Sequence, residues 1–168
     1  TDNGELLLRT ETYVYGGGGL LTDVRQRVRR SVGYGTETMT FETCIDIQNR
    51  RNVLFHNGWG ISTHKNIILI AEYGAKGDEP WGGQTLPAEL SARYAYMSLD
   101  YGVTWKTIFD AKDHIADTNG VHLHGICYDP YWERIWINCG DRVSGLWYSD
   151  DLGATWIESE YFERIGEV

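Results

Sequence analysis

Two carboxylates, two histidines and three large aromatic residues carry most of the chemistry this sequence can offer. Glu72 ends the apolar run Ile67–Ala71, and Asp141 follows the run Ile135–Gly140. A pair of carboxylates can divide acid and base roles, with the chemistry set by their separation. The bland reading of each is a structural turn cap. His122 and His124 stand two residues apart, which places both on one side of an extended strand. With Asp141 or Glu72 as a third group they would suit a divalent metal, but the spacing selects no ion. Two ordinary hydrogen-bonded histidines are the competing reading, and no motif requires a cofactor. Trp59, Tyr73 and Trp81 offer flat apolar faces that suit sugar rings, or serve as packing.

The elements that must position these groups are strands. The chain has 168 residues, with 20 Gly, seven Trp and 11 Tyr beside three Pro. Glycine-punctuated, aromatic-rich short segments read as an all-β protein with many turns. Only residues 86–92 suggest a short helical turn, with Pro87 near its start. The composition is 42% hydrophobic and 23% charged, which fits a folded chain. A net charge of −9 argues against a nucleic-acid partner. No apolar run approaches the roughly 20 residues of a membrane-spanning helix, so no membrane insertion is expected. Three cysteines with no close pairing indicate neither a disulfide scaffold nor a zinc knuckle. With no initiator Met and no secretory signal, the chain reads as a processed product or an excised fragment.

An internal repeat organises the chain. Residues 98–105 read Ser-Leu-Asp-Tyr-Gly-Val-Thr-Trp, and residues 149–156 read Ser-Asp-Asp-Leu-Gly-Ala-Thr-Trp. Both follow S-x-D-x-G-x-T-W, and the copies lie 51 residues apart. A decayed third copy is expected from Cys44 and Asp46, 54 residues upstream, although Gln48, Arg50 and Arg51 replace its Gly, Thr and Trp. The pattern has a mechanical meaning. The Asp side chain accepts from backbone N–H groups of its own turn, the Gly permits a positive φ, and the Trp packs over the turn. Each copy is a self-capped hairpin turn with an aromatic plug.

Ser98, Asp100, Gly102, Thr104 and Trp105, with Ser149, Asp151, Gly153, Thr155 and Trp156, resemble the Asp-box, or BNR, repeat of sialidase-like β-propellers. That resemblance implies a structural, non-catalytic box between the third and fourth strands of each blade. The wider order Gly58-Trp59-Gly60-Ile61, Ala71-Glu72-Tyr73-Gly74, His122-Leu123-His124-Gly125, Tyr128-Asp129-Pro130-Tyr131 and Gly140-Asp141 looks like a sialidase-like group that includes bacterial exported and phage tail proteins. It covers about residues 53–157, and it implies an extracellular or virion-associated setting and engagement of carbohydrate. The Arg-Ile-Pro signature of true sialidases is absent.

In that register the chain becomes a propeller fragment of about three four-stranded blades. Residues 1–56 form an irregular first blade, 57–118 a second with an inserted loop at 74–91, and 119–168 a third. Strands are expected near 58–62, 66–73, 93–98 and 104–109, then 121–128, 134–139, 145–149 and 155–160, with another at 38–44. Three blades leave a ring open, so further blades of the same protein or a homo-oligomer are expected to close it. Strand direction places Trp59, Tyr73, Trp81, His122 and His124 on the face opposite the boxes, overhung by Asp113 and His114. The preferred expectation is a glycan-recognising module at that face. The alternatives are a glycan-active hydrolase or lyase using Glu72, His122, His124 and Asp141, and a structural assembly module. Arg25, Arg27 and Arg29 would form a cationic stripe for anionic glycans, or the charged guard of an edge strand. Residues 1–56 hold seven acidic and seven basic groups, so the whole net charge resides beyond them.

Overall fold

The computed structural model describes residues 6–15, 21–48, 52–54, 59–74, 80–81, 84–85, 93–115, 121–141 and 144–160. These residues are all-β. Their strands are β1 (Leu7–Tyr15), β2 (Leu21–Val32), β3 (Thr40–Gln48), β4 (Asn52–Leu54), β5 (Ile61–His64), β6 (Ile67–Gly74), β7 (Pro80–Trp81) and β8 (Gln84–Thr85). They continue with β9 (Tyr94–Ser98), β10 (Lys106–Asp110), β11 (Val121–Asp129), β12 (Arg134–Asp141), β13 (Gly145–Ser149) and β14 (Ile157–Glu158). A single 3-10 turn, Ala111–Asp113, is the helical element among the described residues. No described helix is long and apolar enough to cross a membrane.

Pairing is antiparallel throughout and mostly between neighbours in sequence. Sheet 1 runs β1-β2-β3; sheet 2 runs β10-β9-β6, with β5 and β4 sharing the far edge of β6; sheet 3 runs β11-β12-β13-β14. The strands β7 and β8 form a separate two-stranded ladder within 74–91. By pairing, β4 belongs to sheet 2, because Val53 lies opposite Tyr73.

Period-2 alternation explains how the sheets stack. In β12, Ile135, Ile137 and Cys139 are buried while Trp136 and Asn138 are half-buried. Ile135, Ile137 and Cys139 join Leu69, Ala71, Ala95, Met97, Phe109, Leu123, Ile126 and Trp147 in one core between sheets 2 and 3. The other face of sheet 2 packs Ile70, Ile61, Tyr96 and Trp105 with Val28, Ile45 and Leu7 of sheet 1. Sheet 2 is therefore covered on both faces.

The two octapeptides form near-identical turns. The Ser98 hydroxyl donates to Asp100 Oδ1 at 2.8 Å and accepts from Gly102 N at 2.8 Å. Asp100 then accepts from Thr104 N at 2.8 Å and from the Thr104 hydroxyl at 2.6 Å. In the second turn, Ser149 and Asp151 repeat the pattern with Gly153 N at 2.7 Å, Thr155 N at 2.8 Å and the Thr155 hydroxyl at 2.7 Å. Gly102 and Gly153 take φ of +87° and +82°, where a side chain would be strained. A Cβ on Gly153 would also lie 2.7 Å from Ile108 Cβ, in sheet 2.

Two sequence expectations are corrected. The decayed third octapeptide is not a turn where it is described, because Cys44 and Asp46 lie inside β3. Phe41, Thr43, Ile45 and Ile47 maintain a β-branched and aromatic alternation that keeps the strand going. The arginine-rich segment is not an edge strand: β2 is the centre of sheet 1, and Arg27 pairs with Asp46 at 3.3 Å. Arg30 pairs with Glu42 on the same strand couple. The helical turn expected at 86–92 lies outside the described residues.

Candidate functional site

The ends of sheets 2 and 3 remote from the octapeptide turns hold most of the candidate residues. Strand direction decides this. Asn66, in the β5–β6 turn, donates from Nδ2 to Leu99 O at 2.6 Å, which fastens that turn to the first octapeptide. Strand β6 then runs away from the octapeptides and delivers Glu72 and Tyr73 at its far end. Strand β11 starts at the same far end, where Val121 lies opposite Asp141 and His122 opposite Gly140.

Glu72 is fully buried. Its Oε2 accepts from the backbone N–H of Arg93 at 3.1 Å and of Tyr94 at 3.2 Å. Its Oε1 accepts from the Tyr96 hydroxyl at 2.8 Å. The side chain of Arg93 in turn pairs with Asp110 at 3.0 Å. A carboxylate with three donors and no exposure fastens the start of β9 to β6.

His124 occupies a β-bulge, since Leu123 pairs with Cys139 and Gly125 with Asn138. The bulge shifts the strand's alternation beyond His124, whose ring lies over Gly140, the residue opposite His122. Leu123 and Ile126, three apart, both enter the same core, so simple alternation does not hold across His124. The imidazole lies over Gly140, where a Cβ would come within 2.6 Å of its Cε1. Only glycine leaves room for that ring. Tyr73 meets His124 with ring centroids 5.9 Å apart and tilted by 52°.

Trp59 is 74% exposed. Its carbonyl accepts from Ile126 N at 2.9 Å, which ties the start of β5 to the bulged strand. Its side chain forms the rim of a groove of about 310 Å³, lined also by Ile61, Gly125, Cys127, Trp136, Asn138 and Leu146. The structure therefore brings Tyr73 against His124, and ties the backbone of Trp59 to the same strand, β11. The side chains of Trp81, His122 and Asp141 lie outside the described residues, although the ladder sets the backbones of His122 and Asp141 side by side.

His114 follows the end of β10 at this same end of sheet 2, but its side chain is turned inward. Its ring stacks on Phe109 at 4.6 Å with a 10° interplanar angle, half-buried against the core. Burial pushes its pKa down, against the opposing pull of Asp113, Asp110 and Glu158. Among the described residues no three His, Cys, Asp or Glu side chains cluster as a metal site would need. The three cysteines are free thiols, and burial pushes Cys139 up to about 12. Cys127 and Cys139 lie opposite Trp136 and Leu123, not each other.

The octapeptide carboxylates are structural. The Thr155 hydroxyl and N–H hold Asp151 down to about 2, and Thr104 lowers Asp100 in the same way. Trp105 and Trp156 both pack into the cores, as their role in the turn requires.

One feature escaped the sequence reading. Trp136, Asn138, Leu146 and Tyr148 form a half-buried face on sheet 3, with Arg134 4.0 Å from the Tyr148 ring centroid and paired to Asp150. The signal was present in Ile135-Trp136-Ile137, where large apolar residues occupy both faces of one strand. No protein-family model matches the chain, and no curated protein matches it.

Proposed function

We propose that the chain is a glycan-recognising Asp-box propeller module of an extracellular or phage tail protein. In this reading sheets 2 and 3 are successive blades, and the sugar lies at the end opposite the octapeptide turns. The observation that carries the proposal is the position of Trp59. A 74% exposed indole lines a groove along β11, the strand whose His124 ring meets Tyr73 of sheet 2. Aromatic planes offer sugars an apolar stacking surface at little entropic cost, and the imidazole and phenol supply polar edges.

The hydrolase or lyase reading finds less support. It asks Glu72 to exchange protons with a substrate, yet that carboxylate is fully buried and committed to three donors.

A glycan array followed by product analysis of the retained sugars tests the proposal. The expected result is binding without turnover, weakened at least tenfold by Trp59→Ala in a protein whose circular dichroism is unchanged. Retention of no glycan overturns the module. Turnover that survives chelation and disappears in Glu72→Gln would instead establish the hydrolase.

A further inference from the structure

The ladders of sheets 2 and 3 are related residue by residue. Ile68 lies opposite Ser98, and Ile135 lies opposite Ser149. Ile61 lies opposite Ile70, and Ile126 opposite Ile137. Met97 faces Lys106, and Tyr148 faces Ile157. All four strands therefore superpose in one register, with Ser98 on Ser149 and Gly60-Ile61 on Gly125-Ile126.

That register identifies the two outer faces. Leu69, Ala71, Ala95 and Met97 of sheet 2 correspond to Trp136, Asn138, Leu146 and Tyr148 of sheet 3. The first four are at most 1% exposed, because sheet 3 covers them. Their counterparts are half-buried, beside an exposed Cys127 and an Ile157 that is 49% exposed. The face has the same design, but no sheet among the described residues covers it. Sheet 3 reaches sheet 2 through Trp147, which meets Phe109 at 5.8 Å, and through Trp156, whose indole donates to Ile108 O at 2.7 Å.

We infer that the outer face of sheet 3 is a docking surface for one further four-stranded sheet carrying an S-x-D-x-G-x-T-W turn. A second copy of this chain does not meet that requirement. Its two octapeptide tryptophans are already seated, Trp105 against sheet 1 and Trp156 against sheet 2. The occupant is therefore another polypeptide segment of the same repeat type. Continuity with the interface between sheets 2 and 3 sets how it lies. The inference does not depend on whether a sugar binds at Trp59.

The test is a tandem variant in which residues 111–160 are repeated directly after Glu160, with Cys127→Ser in the added copy only. Labelling of the original Cys127 by a thiol reagent is expected to slow at least tenfold relative to the parent, with a rise in melting temperature. Unchanged labelling overturns the inference. Labelling of the parent that slows as its concentration rises also overturns it, because a second copy then covers the face. A pair of single substitutions in the parent supplies a test that needs no added sheet. Met97→Asn is expected to lower the melting temperature strongly, and Leu146→Asn by a small fraction of that shift. Equal losses would mean that the chain itself covers the face, and the inference fails.

Discussion

Trp156 donates its indole N–H to the carbonyl of Ile108, 48 residues earlier in the chain and in the neighbouring sheet. Its counterpart Trp105 donates to Gly102 O at 2.9 Å, within its own turn. Two tryptophans in identical sequence frames thus make different bonds, one between sheets and one local. Trp156→Phe is expected to cost about 1–2 kcal/mol, through the lost bond and the carbonyl left behind. Trp105→Phe should cost less, since its bond closes a single turn rather than joining two sheets. Urea denaturation of both variants checks the order.

Two glycines of positive φ separate two kinds of cost. Gly35 and Gly153 have nearly the same φ, +81° and +82°. A Cβ at Gly35 meets nothing within 4 Å, whereas one at Gly153 runs into Ile108. Gly35→Ala should therefore lose only the conformational term, about 1 kcal/mol. Gly153→Ala should lose about 2–4 kcal/mol, because overpacking adds to the strain. Similar losses in the two variants would contradict the close approach of sheets 2 and 3.

Glu72 is expected to behave as a strut. Glu72→Ala leaves the N–H groups of Arg93 and Tyr94 and the Tyr96 hydroxyl facing an empty site, a loss on the order of 3–5 kcal/mol. Glu72→Gln keeps an oxygen for the two amides and should cost roughly half as much. Chemical denaturation distinguishes the pair.

Two pH windows follow from the shifted groups. Asp151 falls from 3.8 when unperturbed to about 2 in the fold, so its contribution is complete above about 4. It is lost as the pH falls from there through about 2, and Asp100 acts in the same direction. His114 is also lowered in the fold, from 6.5, so protonation favours the unfolded chain and stability declines as the pH drops below that value. His114→Phe should remove the upper decline and leave the acid one. Melting temperatures measured between pH 2 and 8 resolve the two.

The legibility of the fold followed the reach of its interactions. The octapeptides could be read because each Ser, Asp and Thr finds its partners within four residues. Strand β13 was expected at 145–149 and lies there, and β6 and β9 fall within a residue of their expected positions. Glu72 was placed at the right end of the right strand, but its burial depends on groups 21 to 24 residues away. The bulge at His124 left no mark in the sequence, because it is a register event between β11 and β12. The edge assignment of Arg25–Arg30 failed for the same kind of reason, since strand order within sheet 1 comes from pairing partners rather than from charge.

The meander connectivity of sheets 2 and 3 has a consequence for how the chain yields under load. Most ladder bonds join strands adjacent in sequence, while the seams are crossed by long-range contacts such as Ile126 N to Trp59 O and Tyr128 N to Ser62 Oγ at 3.0 Å. Those seams close late, because they must overcome the largest loop-closure entropy, and they are the planes along which the molecule will part first. A force applied across the ends should peel whole sheets away before it unzips any one of them.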